Sequence, residues 1–183
     1  MLKYVKGVIK MNEILKNIAT RRSVRKFSDK EISEEVLNNI ITAGLYAPSA
    51  MNTQLWQITV LKNDEKIVSL QKAVAKALDR PDYHRFYGAP VFIIVTVPAD
   101  YRHGAVDTAC VLQNMFLAAH SLNVGSVWIN QIRDCYDDPD VRAILTDLGI
   151  PGNHVCYGCA AVGYADCELP ADRENKGIVK IVE

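Results

Sequence analysis

Residues Thr20-Arg21-Arg22-Ser23-Val24-Arg25-Lys26-Phe27 bring four cations and two hydroxyls within eight positions. Val24 and Phe27 interrupt the polar run. They can pin the segment to a core while Arg21, Arg22, Ser23 and Arg25 point elsewhere. Guanidinium groups bind phosphate bidentately, and a serine hydroxyl adds a neutral donor. A pinned cluster of this kind suits a compact dianion better than a long polyanion. The competing reading is a solvated helix end, because cations near a helix C-terminus are favoured by its dipole.

A second stretch, Ala47-Pro48-Ser49-Ala50-Met51-Asn52-Thr53-Gln54-Leu55-Trp56-Gln57, follows an amphipathic run. Proline and small side chains let backbone approach a flat ring, and Asn52 and Gln54 offer amide donors and acceptors. The plain alternative is a helix-ending loop with Asn52 as a turn residue and Trp56 in the core. A third stretch is Gly125-Ser126-Val127-Trp128-Ile129-Asn130, and Gly163-Tyr164 follows near the end.

Taken together, these stretches resemble the nitroreductase family of flavin mononucleotide (FMN) enzymes. That family carries an Arg-Arg-Ser-x-Arg-x-Phe-like segment and, further along, Pro-Ser-x-x-Asn-x-Gln-x-Trp. The resemblance runs over residues 12–176. It implies that Arg21, Arg22 and Ser23 hold the phosphate and ribityl chain, with Arg25 near flavin N1 and O2. It sets Pro48, Ser49, Ala50, Asn52 and Gln54 against a flavin bound mainly by the other subunit. It lays the backbone of Ile129, Asn130 and Gln131 beside the ring, with one N–H reaching N5. Lys176 stands where the family often has a phosphate-binding cation, although the acidic and basic mixture around Arg173 and Lys176 departs from the family's longer basic tail. Arg85 matches poorly a position where some members use lysine, and reads as solvent-facing.

The elements that must position these residues follow from periodicity. Residues 12–19 form a short helix with Ile14, Leu15, Ile18 and Ala19 on one face and Asn12 as N-cap. Ser33 caps a second helix with the stripe Val36, Leu37, Ile40, Ile41 and Leu45, and Pro48 ends it. Residues 57–61 are rich in β-branched side chains and read as a strand. Asp64 is expected to cap a third helix, which Pro81 stops. Residues 91–97 are continuously apolar, as in a strand buried on both faces. Residues 104–122 form a helix apolar nearly all round, hence buried, some of it against a second subunit. A strand over 124–130, a helix opening at Asp137-Asp138-Pro139, and a strand over 155–162 follow. Residues 177–182 could add an edge strand, which in the resembling family reaches the partner's sheet. The fold class is α+β; the resemblance implies a mixed central sheet flanked by helices in an intertwined homodimer.

The chain of 183 residues fits one domain with a sizeable core. Residues 1–11 read as a disordered extension ahead of a single FMN-binding domain at 12–183, with Met11 as an alternative start. Lysine plus arginine and aspartate plus glutamate number 21 each, and this balance argues against a general nucleic-acid binder. No secretory signal or membrane span is expected. Five cysteines, an odd count, point to reduced thiols and a cytoplasmic setting. Cys156-x-x-Cys159 lies in a strand, where positions three apart face opposite sides, so the thiols are not expected to converge on a metal. Neither a nucleophile elbow nor a Gly-x-Gly-x-x-Gly occurs.

The function implied by the resemblance is a homodimeric FMN-dependent oxidoreductase with flavin sites shared across the interface. NADH or NADPH delivers hydride, leaves, and is replaced by a nitroaromatic, quinone or similar flat acceptor in ping-pong order. No protein acid or base is required. A non-catalytic flavin-binding redox sensor or carrier is the principal alternative. Dehalogenating or flavin-degrading relatives and a colourless dimerisation module are further ones.

Overall fold

The computed structural model describes residues 11–84, 86–170, 173–174 and 176–183. Residues 1–10, most of the expected extension, and Arg85 lie outside the described residues.

Local chemistry sets most boundaries. In α1 (Glu13–Thr20) the Asn12 side chain accepts from the Leu15 N–H at 2.9 Å. In α2 (Glu34–Leu45) Ser33 accepts from the Val36 N–H at 3.3 Å. Such caps satisfy donors that a helix leaves unpaired and contribute about 1 kcal/mol each. A 3₁₀ turn over Ala50–Asn52 leads into β1 (Gln57–Leu61). The cap of α3 (Asp64–Ala77) is Asn63 and not Asp64. Asn63 has the extended backbone that a cap requires, and its amide oxygen accepts from the Lys66 N–H at 2.9 Å. Asp64 is instead the first helical residue.

The remaining elements are β2 (Val91–Pro98), α4 (Gly104–Ser121), β3 (Gly125–Ile129), a 3₁₀ turn over Gln131–Asp134, α5 (Pro139–Asp147) and β4 (His154–Gly163). The Asp138 carboxylate caps α5, with Pro139 in the first turn. The chain leaves α5 through Gly149 at φ +77°, a left-handed conformation open to glycine.

The sheet order is β1-β2-β4-β3, with every neighbouring pair antiparallel. The expectation of a mixed sheet is therefore corrected for the described residues of one chain. Among the described residues, parallel pairing is limited to a bridge between Ser23 and Ser126. Residues 177–182 join no strand among the described residues; Ile178 and Val182 are 96% and 80% exposed.

Helices cover both faces of the sheet. On one face Phe92 and Ile94 of β2 join Leu70 and Val74 of α3 and Val141 and Leu145 of α5. On the other, Val91, Ile93 and Val95 join Ile40 of α2 and Leu112 and Met115 of α4. This double cover explains why β2 reads as an unbroken apolar run even though its pairing is antiparallel. Helix α4 lies between α2 and the sheet and also touches α1, so much of its apolar circumference is covered within one chain. The apolar face of α1 is different: Ile14, Leu15 and Ile18 stay exposed.

The expected facing of Cys156 and Cys159 is also corrected. Their sulfurs lie 3.3 Å apart in the interior. Val95 pairs with Gly158 and Thr96 with Cys156, so Tyr157 is an extra residue on β4. A bulge of this kind resets the two-residue alternation. Positions three apart then share a face.

Candidate functional site

Val24 and Phe27 pin the basic segment as expected, at 1% and 8% exposure. The Val24 N–H donates to the Ser126 carbonyl at 3.1 Å, and the Ser28 N–H donates to the Tyr164 carbonyl at 2.9 Å. The segment is thus laid along β3 and the end of β4. Gly125 permits this approach, because a Cβ there would lie 2.6 Å from Val24 Cγ2.

A cleft of about 200 Å³ opens beside this segment. Arg21, Arg22, His120, Asn123, Ser126 and Leu169 contribute to its walls. Arg21 is half-buried, and its guanidinium is held below the usual range, first by burial and then by the Arg173 and Arg22 cations. The Ser126 hydroxyl is buried with no hydrogen-bond partner among the described residues. Such an orphan is uncommon in a native interior. A larger cleft of about 670 Å³ has Asp29, Glu31, Glu34 and Asp64 against Lys62, an acidic lining that does not suit an anion.

The other expected residues divide between the cleft and more distant positions. Arg22 directs Nη1 to the Ala19 and Arg21 carbonyls and Nε to the Pro170 carbonyl, tying the end of α1 to the tail. Arg25 is exposed. Lys176 does not line the cleft; it is exposed and 3.6 Å from Glu174.

Pro48, Ser49, Ala50, Asn52 and Gln54 form a separate loop that contributes nothing to the walls of the cleft. The Gln54 amide donates to Asn52 Oδ1 at 2.7 Å, and the Gln54 N–H donates to Ser49 Oγ at 3.1 Å. Met51, Asn52 and Gln54 all have positive φ, at 53°, 57° and 50°. Non-glycine residues held there cost about 1–3 kcal/mol each, and such strain concentrates at binding sites. Ile129 is buried at the end of β3. The Asn130 N–H and the Tyr83 hydroxyl both donate to Gln131 Oε1, each at 3.2 Å.

A sequence model described as the nitroreductase family matches residues 18–164. The chain belongs to the nitroreductase family. It is 39% identical to a Bacteroides fragilis nitroreductase with bound FMN, with a TM-score of 0.88 over 94% of this chain and 100% of that one. An FMN-bound nitroreductase from Desulfitobacterium hafniense is 29% identical, with a TM-score of 0.84 and the same coverage. An NADPH-flavin oxidoreductase of Vibrio harveyi is 31% identical, covering 85% of this chain and 67% of its own length.

For this nitroreductase-family chain the cleft is the natural place to test for a phosphate. The Arg21 guanidinium, crowded by the Arg173 and Arg22 cations beside an orphaned hydroxyl, fits a dianion by charge and by hydrogen bonding. Two of these groups, His120 and Ser126, were not legible as ligands in the sequence. Histidines scattered in sequence give no spacing signal, and Ser126 sits inside a strand. The Thr20 hydroxyl donates to the Lys16 carbonyl at 2.8 Å, so His120 Nε2, 2.9 Å away, carries the proton of their contact. Burial, then the Arg21 and Arg22 cations, holds the His120 ring below its usual value.

Proposed function

We propose that the protein is a homodimeric FMN-dependent oxidoreductase, cytoplasmic, that draws electrons from NADH or NADPH and passes them to nitroaromatic, quinone or similar flat acceptors in ping-pong order. The observation that carries this reading is the cleft of Arg21, Arg22, His120 and Ser126, which fits a phosphate in a chain whose structural neighbours hold FMN. FMN held there would supply a hydride acceptor at N5 and an electron donor to the acceptor. The protein's task is then to hold and tune it.

Arg21 and the Ser126 hydroxyl are the proposed phosphate partners, with Ser23 beside them on the same segment. Arg22 steadies the segment through its carbonyl contacts. Arg25 is the proposed cation near N1 and O2. Along β3, Ser126 to Ile129 spans about 10 Å at strand rise, in line with an extended ligand between the cleft and Asn130 and Gln131. The loop bearing Asn52 and Gln54 serves the partner's flavin, since it stands outside the cleft of its own chain. Exposed Ile14, Ile18, Tyr46 and Met51 supply apolar surface for the dimer, and residues 177–182 are the proposed strand for the partner's free β1 edge.

An absorption spectrum of the purified protein, identification of the released flavin, and anaerobic titration with NADH and NADPH test the reading. Oxidised-flavin bands, released FMN, and bleaching followed by turnover with a quinone are expected. Bleaching without turnover on any acceptor would favour a carrier. A protein that takes up no FMN would sink the reading.

A further inference from the structure

Among the described buried residues, Asp107 is the one charged side chain. It is 3% exposed, in the first turn of α4. A buried carboxylate is costly unless donors surround it. Its donors come from outside its helix. The Ala50 N–H reaches Oδ1 at 3.3 Å and Oδ2 at 3.4 Å. The Tyr101 hydroxyl donates to Oδ2 at 2.6 Å, a short charge-assisted bond.

The contacts continue through Tyr101 to one more residue. Tyr101 has a single hydroxyl proton, and it goes to the carboxylate. The Thr53 hydroxyl lies 2.8 Å from the Tyr101 oxygen and 3.0 Å from the Ala50 carbonyl, so its single proton is shared between these two acceptors. The carboxylate contact is also what holds the Tyr101 phenol above its usual value. Ala50 and Thr53 bracket Met51 and Asn52, two of the three left-handed residues of the loop. Both points of attachment lead to Asp107.

We propose that Asp107 and Tyr101 are positioning residues that latch the loop at 49–54 in its strained conformation and so present Asn52 and Gln54 to the flavin. This rests on the flavin reading above. Asp107 acts through the loop and touches no ligand itself. A carboxylate suits the task because its two oxygens accept from backbone and phenol together, which a single acceptor cannot do as well.

The test compares Tyr101→Phe, Asp107→Asn and Asp107→Leu with wild type, reading the FMN dissociation constant, the flavin midpoint potential and the melting temperature of flavin-free protein. Tyr101→Phe keeps the ring and removes only the bridging hydroxyl. It is expected to weaken FMN binding about tenfold and shift the potential, with the flavin-free melting temperature nearly unchanged. Asp107→Leu should do at least as much, and Asp107→Asn, which keeps one acceptor for Tyr101, should recover much of the loss. If Asp107→Leu does not fold, Tyr101→Phe alone decides. Wild-type affinity and potential in Tyr101→Phe would overturn the latch while leaving the flavin reading intact. Weakened binding that merely tracks a lowered flavin-free melting temperature would also overturn it. Wild-type protein that takes up no FMN would sink the flavin reading and the latch with it.

Discussion

Two cations of the basic segment have different surroundings. Arg21 is half-buried in the cleft, whereas Arg25 is exposed beyond the pinned Val24. Arg25→Ala is therefore expected to retain FMN but lower its midpoint potential and slow hydride acceptance, at a cost of about 1.5–3 kcal/mol for a lost charge-assisted contact. Spectroelectrochemistry of the loaded variant checks this, and an unchanged potential removes Arg25 from the role. His120 gives a second test at this scale. Its ring is held below the ordinary value by burial and by Arg21 and Arg22, so it stays neutral to lower pH than a free histidine. A bound phosphate adds an opposing charge and should raise that value. Ring-proton NMR titration of flavin-free protein should give a midpoint below about 6.5, moving upward when FMN is added. A midpoint insensitive to FMN would place the phosphate elsewhere.

Within β4, one inserted residue changes what a sequence pair means. The bulge at Tyr157 turns Cys156 and Cys159 to the same side, where Cys135 also acts on Cys159. Burial raises the Cys159 thiol well above its usual range and pushes Cys135 to about 11. Both therefore stay protonated and unreactive at neutral pH, since the thiolate is the nucleophile. Native protein should leave Cys135, Cys156 and Cys159 unlabelled by a thiol reagent that modifies exposed Cys167, and denaturant should release them. Cys159→Ser should cost about 1–3 kcal/mol, as a hydroxyl is less tolerant of a poorly satisfied buried site. Its flavin content should stay near wild type. Fast native labelling of the pair, or loss of flavin in a folded variant, would show that the strand carries chemistry and not only packing.

At the scale of the whole molecule, the cleft and the strained loop are separate features of one chain, which a shared site would reunite across a dimer. Arg21→Ala and Asn52→Ala, each impaired alone, are expected to complement when mixed through reversible unfolding. In a mixed dimer one site collects both defects and the other neither. Random pairing makes about half the dimers mixed, so about a quarter of all sites should regain wild-type activity. Differential tags confirm the mixed species. Mixed dimers no more active than the parents would mean that each chain builds its own site.

Much of this architecture is local and was legible in the sequence. Asn12 and Ser33 cap helices because their side chains reach backbone donors three residues ahead. The apolar β2 reads as buried on both faces because helices cover both. The pinning of Arg21 to Arg25 was legible because Val24 and Phe27 are the two apolar side chains in an otherwise polar run. Other features depended on where distant segments meet. One extra residue against β2 reversed the facing of the cysteines, and no composition signal marks a bulge. His120 and Ser126 join Arg21 because the end of α4 and β3 fold back along the basic segment. Asp107 reaches the loop at 49–54 across a separation of 57 residues, which places it under the strained turn only once α4 is packed. Caps and stripes depend on neighbours in sequence, so the sequence determined them. Bulges, clefts and latches depend on contacts whose register is set only by the folded sheet, so the tertiary structure decided them.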